Sequence, residues 1–229
     1  MKRTLFVFIL CFPIVKIAFT QKASSYFKVG LNLANVSIND NGSIDDANML
    51  LSLQAGITGE IPISTFLFVQ PGIMITGKGS KTQAGNTGDA NYYRATSNPW
   101  YVEVPVNIVL KAPIENNLKF FAGAGPYVAI GIAGKRKAEG KILGVKFNRE
   151  DNIEFSNDDP TTSGEEGAGF GILKRFDYGI NGIVGIEGKR TMLSVNYGLG
   201  LAKIQSGTTN NADNNNKHRV LSFNIGFRL

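Results

Sequence analysis

Apolar and polar residues alternate along most of the chain from Tyr26 onward, and a period of two is the pattern of half-buried strands. Residues 27–33 set Phe27, Val29, Leu31 and Leu33 against Lys28, Gly30 and Asn32. The same alternation recurs over 51–61, and 66–76 is more apolar but keeps Gln70, Gly72 and Thr76 on one face. Over 100–108 the apolar face is Trp100, Val102, Val104, Val106 and Ile108. Residues 118–132 place Phe120, Val128, Ile130 and Ile132 opposite glycines and Tyr127. Segments 176–186, 191–201 and 221–229 complete the set, the last alternating cleanly to Leu229. The pattern predicts eight strands, each near the roughly 9–11 residues that a tilted membrane-spanning strand needs.

Two uncharged stretches, 61–77 and 120–134, do not read as helices, because Pro62, Pro71 and Gly72 interrupt the first and Gly123, Gly125, Pro126 and Gly131 the second. Pro71, Pro105 and Pro126 each forfeit a ladder hydrogen bond, so bulges or broken register are expected there.

The connections alternate in length. Those near Ser64–Thr65, 112–117 and 188–190 are short, whereas 36–48, 78–98, 134–174 and 205–218 are long and polar. Short turns at one end and long loops at the other characterise bacterial outer-membrane barrels. The longest loop is charge-segregated: 135–149 holds six basic residues and one acid, and 150–166 holds seven acids and no base. Residues 141–147 and 152–155 suit strands, with 148–151 as a turn between them. The expectation is that the fifth and sixth strands rise past the membrane and that this loop adds a hairpin above the rim, its basic half facing its acidic half.

Of 229 residues, 24 are basic and 18 acidic. Three of the bases, Lys2, Arg3 and Lys16, fall in the first twenty positions, which leaves 24 − 3 = 21 against 18. The basic balance is therefore largely an N-terminal effect, and nucleic acid is not an expected partner. Met1-Lys2-Arg3, the apolar run 4–15 and Ala18-Phe19-Thr20 have the form of a cleaved signal peptide over 1–20, followed by one barrel domain over 21–229. Cys11 is the only cysteine, so the mature domain has no disulfide and no thiolate site.

Alternation also suits a soluble ligand barrel of the lipocalin kind, in which the apolar face points inward. Here the opposite face is crowded with glycine (Gly30, Gly56, Gly123, Gly125, Gly179, Gly198) and carries few charges, which fits a narrow lumen better than a water-facing surface. Phe27, Phe66, Trp100, Phe120, Phe176 and Phe227 lie near strand ends and form candidate interfacial girdles. The ordered set Tyr26-Phe27-Lys28-Val29-Gly30-Leu31-Asn32, Val69-Gln70-Pro71-Gly72, Val102-Glu103-Val104-Pro105, Gly123-Ala124-Gly125-Pro126-Tyr127, Phe176-Asp177-Tyr178-Gly179 and Asn196-Tyr197-Gly198-Leu199-Gly200 resembles the small outer-membrane β-barrel domain family of Gram-negative bacteria, often labelled porin-like or PorT-like. The resemblance implies an all-β, eight-stranded antiparallel up-and-down transmembrane barrel in the outer membrane and brings no reaction with it. Leu229 departs from the terminal aromatic common in such barrels, leaving Phe223, Ile225 and Phe227 to carry the assembly signal.

Candidate chemistry is sparse. His218 is the only histidine, with Ser206 and Asp213 in the preceding loop; a solvated rim histidine is the simpler reading than a hydrolytic triad. Gly167-Ala168-Gly169-Phe170-Gly171 has no helix after it to hold a phosphate. Asn39-Asp40-Asn41-Gly42 with Asp45-Asp46 lacks the closing glutamate of a calcium loop. No catalytic residue, metal site or cofactor is expected. By parity, Lys28, Glu60, Glu103, Lys111, Lys119, Arg175, Asp177, Glu187 and Arg228 face the lumen as a structural charge network, five bases against four acids. An eight-stranded barrel is just wide enough for side chains to fill it, so mutual pairing is expected rather than an open pore. The expected role is non-enzymatic, in envelope structure or through extracellular loops. A narrow transport or export component, and a rim-located lipid-modifying enzyme, are the alternatives. Expected partners are outer-membrane lipids, the barrel-assembly machinery during insertion, and whatever protein or envelope component meets the extracellular loops; the barrel is expected to be a monomer.

Overall fold

The computed structural model describes residues 23–37, 49–85, 88–115, 117–156, 172–204 and 217–229. The leader, residues 39–46, the glycine run 167–171, Ser206 and Asp213 lie outside the described residues.

The described residues form twelve strands: β1 (Ser24–Ser37), β2 (Leu50–Pro62), β3 (Leu67–Gly77), β4 (Ser80–Ala84), β5 (Tyr92–Glu115), β6 (Leu118–Ile142), β7 (Val145–Asn152), β8 (Glu154–Phe155), β9 (Ile172–Leu173), β10 (Phe176–Glu187), β11 (Thr191–Gly200) and β12 (Lys217–Arg228). Eight of them form a closed antiparallel ring in the order β1-β2-β3-β5-β6-β10-β11-β12, and β12 pairs back onto β1 with Phe227 opposite Phe27. Closure removes every edge within the ring, the condition for placing backbone polar groups in hydrocarbon.

The ring fixes which face meets which medium. Leu51, Ile73, Ile108, Val128 and Leu193 point outward and are half or more exposed, whereas Lys28, Asn32, Glu60, Gln70, Lys111 and Asp177 point inward and are buried. Apolar outside and polar inside is the reverse of a soluble ligand barrel, so the lipocalin-like alternative is overturned. Two aromatic belts bound the apolar surface. Phe27, Phe66, Phe120 and Phe227 lie at the short-turn end, and Trp100, Phe176 and Tyr178 at the other. Along β5, Trp100 and Ala112 (opposite Phe120) are 112 − 100 = 12 positions apart, which for a strand tilted by about 40° gives ~30 Å of height.

The prolines interrupt the ladder without shifting it. Around Pro71, Pro105 and Pro126 two consecutive pairs are missing from one ladder each, but the register is the same on both sides of each gap. The register of the β5–β6 pairing shifts elsewhere, between Pro113 and Glu115 beside the short turn and between Trp100 and Tyr101 at the other end. Trp100 pairs Ala133 while Tyr101 pairs Gly131, leaving Ile132 as an extra residue in β6. This bulge reverses the inside–outside parity of β6 above it.

Above the bulge the fold differs from the sequence expectation in three ways. The strands that outgrow the membrane are the fourth and fifth of the ring, β5 and β6, rather than the fifth and sixth; β10 starts at Phe176. The segment 78–98 is not simply a loop: β4 continues the line of β3 along β5, with Ser80 opposite Ser97. The hairpin in 134–174 exists, but its turn is Leu143-Gly144, both with positive φ (50° and 84°), and residues 148–151 lie inside β7. A two-residue turn of this handedness matches the twist of the flanking strands, which the longer polar stretch 148–151 does not offer. Together β4, β5, β6 and β7 make a four-stranded sheet standing above the rim.

Candidate functional site

Inside the ring the polar side chains gather into two ion clusters. Toward the short-turn end, the Lys111 ammonium donates to both Glu60 and Glu187. Tyr26 Oη donates to Glu187 Oε1 at 2.6 Å and Gln70 Nε2 to Glu60 Oε2 at 3.0 Å. Toward the long-loop end, Lys78 Nζ lies 2.6 Å from Glu103 Oε2 and 2.9 Å from Asp177 Oδ2. Tyr127 Oη donates to the same Asp177 oxygen at 3.1 Å, and Asn181 Nδ2 donates to Glu103 Oε1 at 3.0 Å. Lys78 also sits 4.0 Å from the centroid of the Tyr127 ring, a cation–π contact that desolvation strengthens. Breaking a buried pair strands a charge; here each carboxylate is held by its lysine and by a neutral donor, with the second Asp177 oxygen, Oδ1, left without a donor among the described residues.

Between the clusters lies an amide layer. Asn32 Nδ2 donates to Thr76 Oγ1 at 2.9 Å, Asn224 Nδ2 donates to Asn196 Oδ1 at 3.1 Å, and Gln54 Nε2 donates to Asn224 Oδ1. A cavity of about 40 Å³ remains here, bordered by Lys28, Asn107, Glu103 and Lys78. That is room for about three waters at ~10–15 Å³ each, and Asn107 Oδ1, buried at its edge without a protein donor among the described residues, is a group that such waters would satisfy.

Buried apolar side chains pack beside both ion clusters. At the short-turn end Tyr26, Val109, Phe121, Ile183 and Met192 form one cluster. At the other, the chain after β7 turns inward, and Ile153, Leu173 and Ile204 pack together with Val36 and Phe155. The Phe155 ring meets Tyr101 edge-on at 5.7 Å and lies over Gly131, where any Cβ would overlap it. Parallel pairing of β8 with β9 and the bond from Arg175 Nη2 to Phe155 O (3.0 Å) hold this lid in place.

Of the nine residues expected in the lumen network, Lys28, Glu60, Glu103, Lys111, Asp177 and Glu187 are buried inside the ring. Lys119, Arg175 and Arg228 are exposed at the mouths of the ring: Lys119 is the cross-strand partner of Glu187 beside the short turn, Arg175 bonds the Phe155 carbonyl, and Arg228 stands 5.7 Å from the Tyr26 ring. Strand parity alone put them inside, but they occupy strand ends, where side chains reach water. The lysine at the centre of the second cluster, Lys78, was missed because Gly77 reads as a strand end. The signal was the parity of Gly72, Met74 and Thr76, which continues to Lys78. Among the described residues the buried set inside the ring is therefore three lysines (28, 78, 111) against four carboxylates (60, 103, 177, 187).

His218 is not a solvated rim residue. It is 2% exposed, and its ring meets Tyr101 edge-on at 5.4 Å with Nε2 3.4 Å from Tyr101 Oη.

Outside the membrane span, the β4–β7 sheet is tied by exposed pairs. Arg94 and Lys137 both contact Glu139 at 3.0 Å, and Lys135 contacts Glu150 at 2.6 Å. The hydrogen bond from Lys137 first, then the charges of Lys137 and Arg94, hold the Glu139 carboxyl below its ordinary range. The hydrogen bond from Lys135 does the same for Glu150, and reciprocally raises Lys135.

A closed ring of membrane-length antiparallel strands with a polar lumen and an apolar girdled exterior defines an outer-membrane β-barrel. The chain belongs to the outer membrane protein beta-barrel domain family, whose model matches residues 19–206. It is an outer-membrane protein, so the short turns and both chain ends of the barrel face the periplasm and the β4–β7 sheet is extracellular. Among solved structures it is similar to Ail, the attachment invasion locus protein of Yersinia pestis, crystallised with the heparin analogue sucrose octasulfate (12% identity, TM-score 0.40), with 91% of this chain and 100% of that chain covered. Neisserial surface protein A is similar at 10% identity and a TM-score of 0.41, with the same coverage. No curated protein matches.

Proposed function

We propose that the protein is a non-enzymatic outer-membrane barrel with a closed lumen, whose working surface is the extracellular β4–β7 sheet. The observation that carries this reading is the lumen itself, filled by two ion clusters and the apolar side chains packed beside them around a cavity of about 40 Å³. Such a space admits water and excludes a solute path. The burial of His218 against Tyr101 removes it from lipid and argues against a lipid-modifying site at the rim. The extracellular sheet, by contrast, is large and rigidly continuous with the barrel, and projections on a stable scaffold commonly carry recognition.

A strain lacking the protein, complemented with either the full chain or a form in which 137–150 is replaced by a two-residue turn, tests this. The trimmed barrel is expected to insert but to leave the envelope as sensitive to detergent as the deletion strain, with uptake of small solutes equal in all strains. Restoration by the trimmed form, or solute uptake that follows the barrel, contradicts the reading.

A further inference from the structure

The bulge at Ile132 has a chemical consequence. Below it the outward residues of β6 are the lipid-facing Phe120, Val128 and Ile130; above it, the reversed parity turns Lys135, Lys137, Glu139 and Lys141 outward. Ile153 packing against Gly134 on the lumen side fixes this assignment. Register then puts Arg94 on the same face through Glu139, Lys81 through Thr96, and Lys146 and Glu150 through Lys141 and Lys137. This face holds six bases (Lys81, Arg94, Lys135, Lys137, Lys141, Lys146) and two acids (Glu139, Glu150), an excess of four. On the inward face Tyr93 stacks on Phe147 with centroids 6.4 Å apart, over Gly140 and beside buried Ala95, and the charges there are fewer: Arg136 and Arg149 with Asp151, which lies 2.7 Å from Arg149.

We propose that the outward face of the β4–β7 sheet docks the phosphate-bearing glycolipid headgroups of the leaflet in which the barrel sits. The proposal rests on the extracellular sheet being the working surface and names what part of it touches. Three observations select this occupant. The face is continuous with the lipid-facing wall of the barrel, so the first molecules beside it are the headgroups of the surrounding lipids. Its bases begin where the apolar belt ends: Lys135 lies two positions above Ala133, the partner of Trp100, or ~7 Å along the strand, within the headgroup layer. Lys137 follows at ~13 Å and Lys141 at ~27 Å. Finally, Lys141 and Lys146 are direct cross-strand partners, and neither forms an ion pair among the described residues. Like charges opposite each other are unfavourable unless an anion lies between them or against them.

The experiment is lipid retention by the folded protein in neutral detergent, read by native mass spectrometry against two probes, lipid A alone and lipopolysaccharide with a phosphorylated core. The wild-type barrel is expected to retain both, with affinity falling steeply as salt rises. Lys135→Gln/Lys137→Gln should weaken both by at least tenfold. Lys141→Gln/Lys146→Gln should weaken only the probe that carries the taller phosphorylated core. A charge-matched pair at a periplasmic turn, Lys189→Gln/Arg190→Gln, should change neither. Heat-modifiable gel mobility checks that each variant is folded. Retention unchanged in both outward-face pairs, or an equal loss in the periplasmic pair, overturns the proposal. So does displacement of the lipid by equimolar soluble tripolyphosphate, which would make the face a site for free polyanions. Ion conductance by the wild-type barrel would instead overturn the closed-lumen reading and leave lipid retention to be judged separately.

Discussion

Lys78 Nζ and Asp177 Oδ2 meet 2.9 Å apart across the lumen, joining positions separated by 99 residues of chain. The pair ties the top of β3 to the start of β10, on opposite sides of the barrel wall. Lys78→Met leaves Glu103 and Asp177 as buried, unpaired carboxylates and is expected to cost about 3–5 kcal/mol. Adding Glu103→Gln and Asp177→Asn should restore much of the loss. Equilibrium unfolding by urea in bilayers measures both; a single variant as stable as wild type contradicts the described cluster.

The outer surface makes a depth-dependent prediction. Val195 and Thr191 both face outward on β11, Val195 near mid-span and Thr191 beside the periplasmic turn. Val195→Arg is expected to destabilise by about 2–4 kcal/mol and Thr191→Arg by about 0–1 kcal/mol. Equal costs in the same unfolding measurement would place β11 at another depth.

Leu143 occupies the left-handed region at φ 50°, in the turn of the extracellular hairpin, and is 85% exposed. A branched side chain there costs roughly 1–2 kcal/mol, which asparagine or glycine largely avoids. Leu143→Asn should therefore slow amide exchange across β7 by about tenfold. Unchanged or faster exchange would mean that the apolar side chain, not the turn, holds the hairpin.

Glu139 and Glu150 supply a pH window. Because their carboxyls are held below the ordinary range in the folded sheet, their pairing stabilises it above that range and is lost as pH falls through the folded values. Lys135, raised by Glu150, contributes below the ordinary lysine range and loses that contribution only as pH rises through its folded value. Carboxyl carbon titration by NMR is expected to give midpoints for both glutamates below that of an unpaired glutamate. Midpoints at or above that value would remove the two ion pairs.

Much of this architecture is legible in the sequence. Period-two alternation locates all eight ring strands, and parity names the inward Lys28, Glu60, Glu103, Lys111, Asp177 and Glu187, because each strand has one face in hydrocarbon and cannot slip by a residue. Parity fails where that constraint ends. At Lys119, Arg175 and Arg228 the strands reach water, and at Gly77 a small residue hides the continuation of β3 to Lys78. The bulge at Ile132 has no composition of its own, so the reversed face above it is visible only in the register. The hairpin turn was misplaced for a related reason. Asn148–Asp151 carries turn-favouring residues, yet cross-strand pairing of 135–142 with 145–152 outweighs them and leaves Leu143-Gly144 at the bend.

Single-channel recording in planar bilayers tests the closed lumen most directly. The purified, folded barrel is expected to give no reproducible conductance steps at neutral pH in ordinary salt. Lys78→Ala combined with Phe155→Ala, which removes apolar packing at the extracellular end and breaks the cluster beside it, should at most give flickering leaks. Stable, reproducible channels from the wild-type monomer would contradict a barrel filled by two ion clusters and the apolar side chains packed beside them.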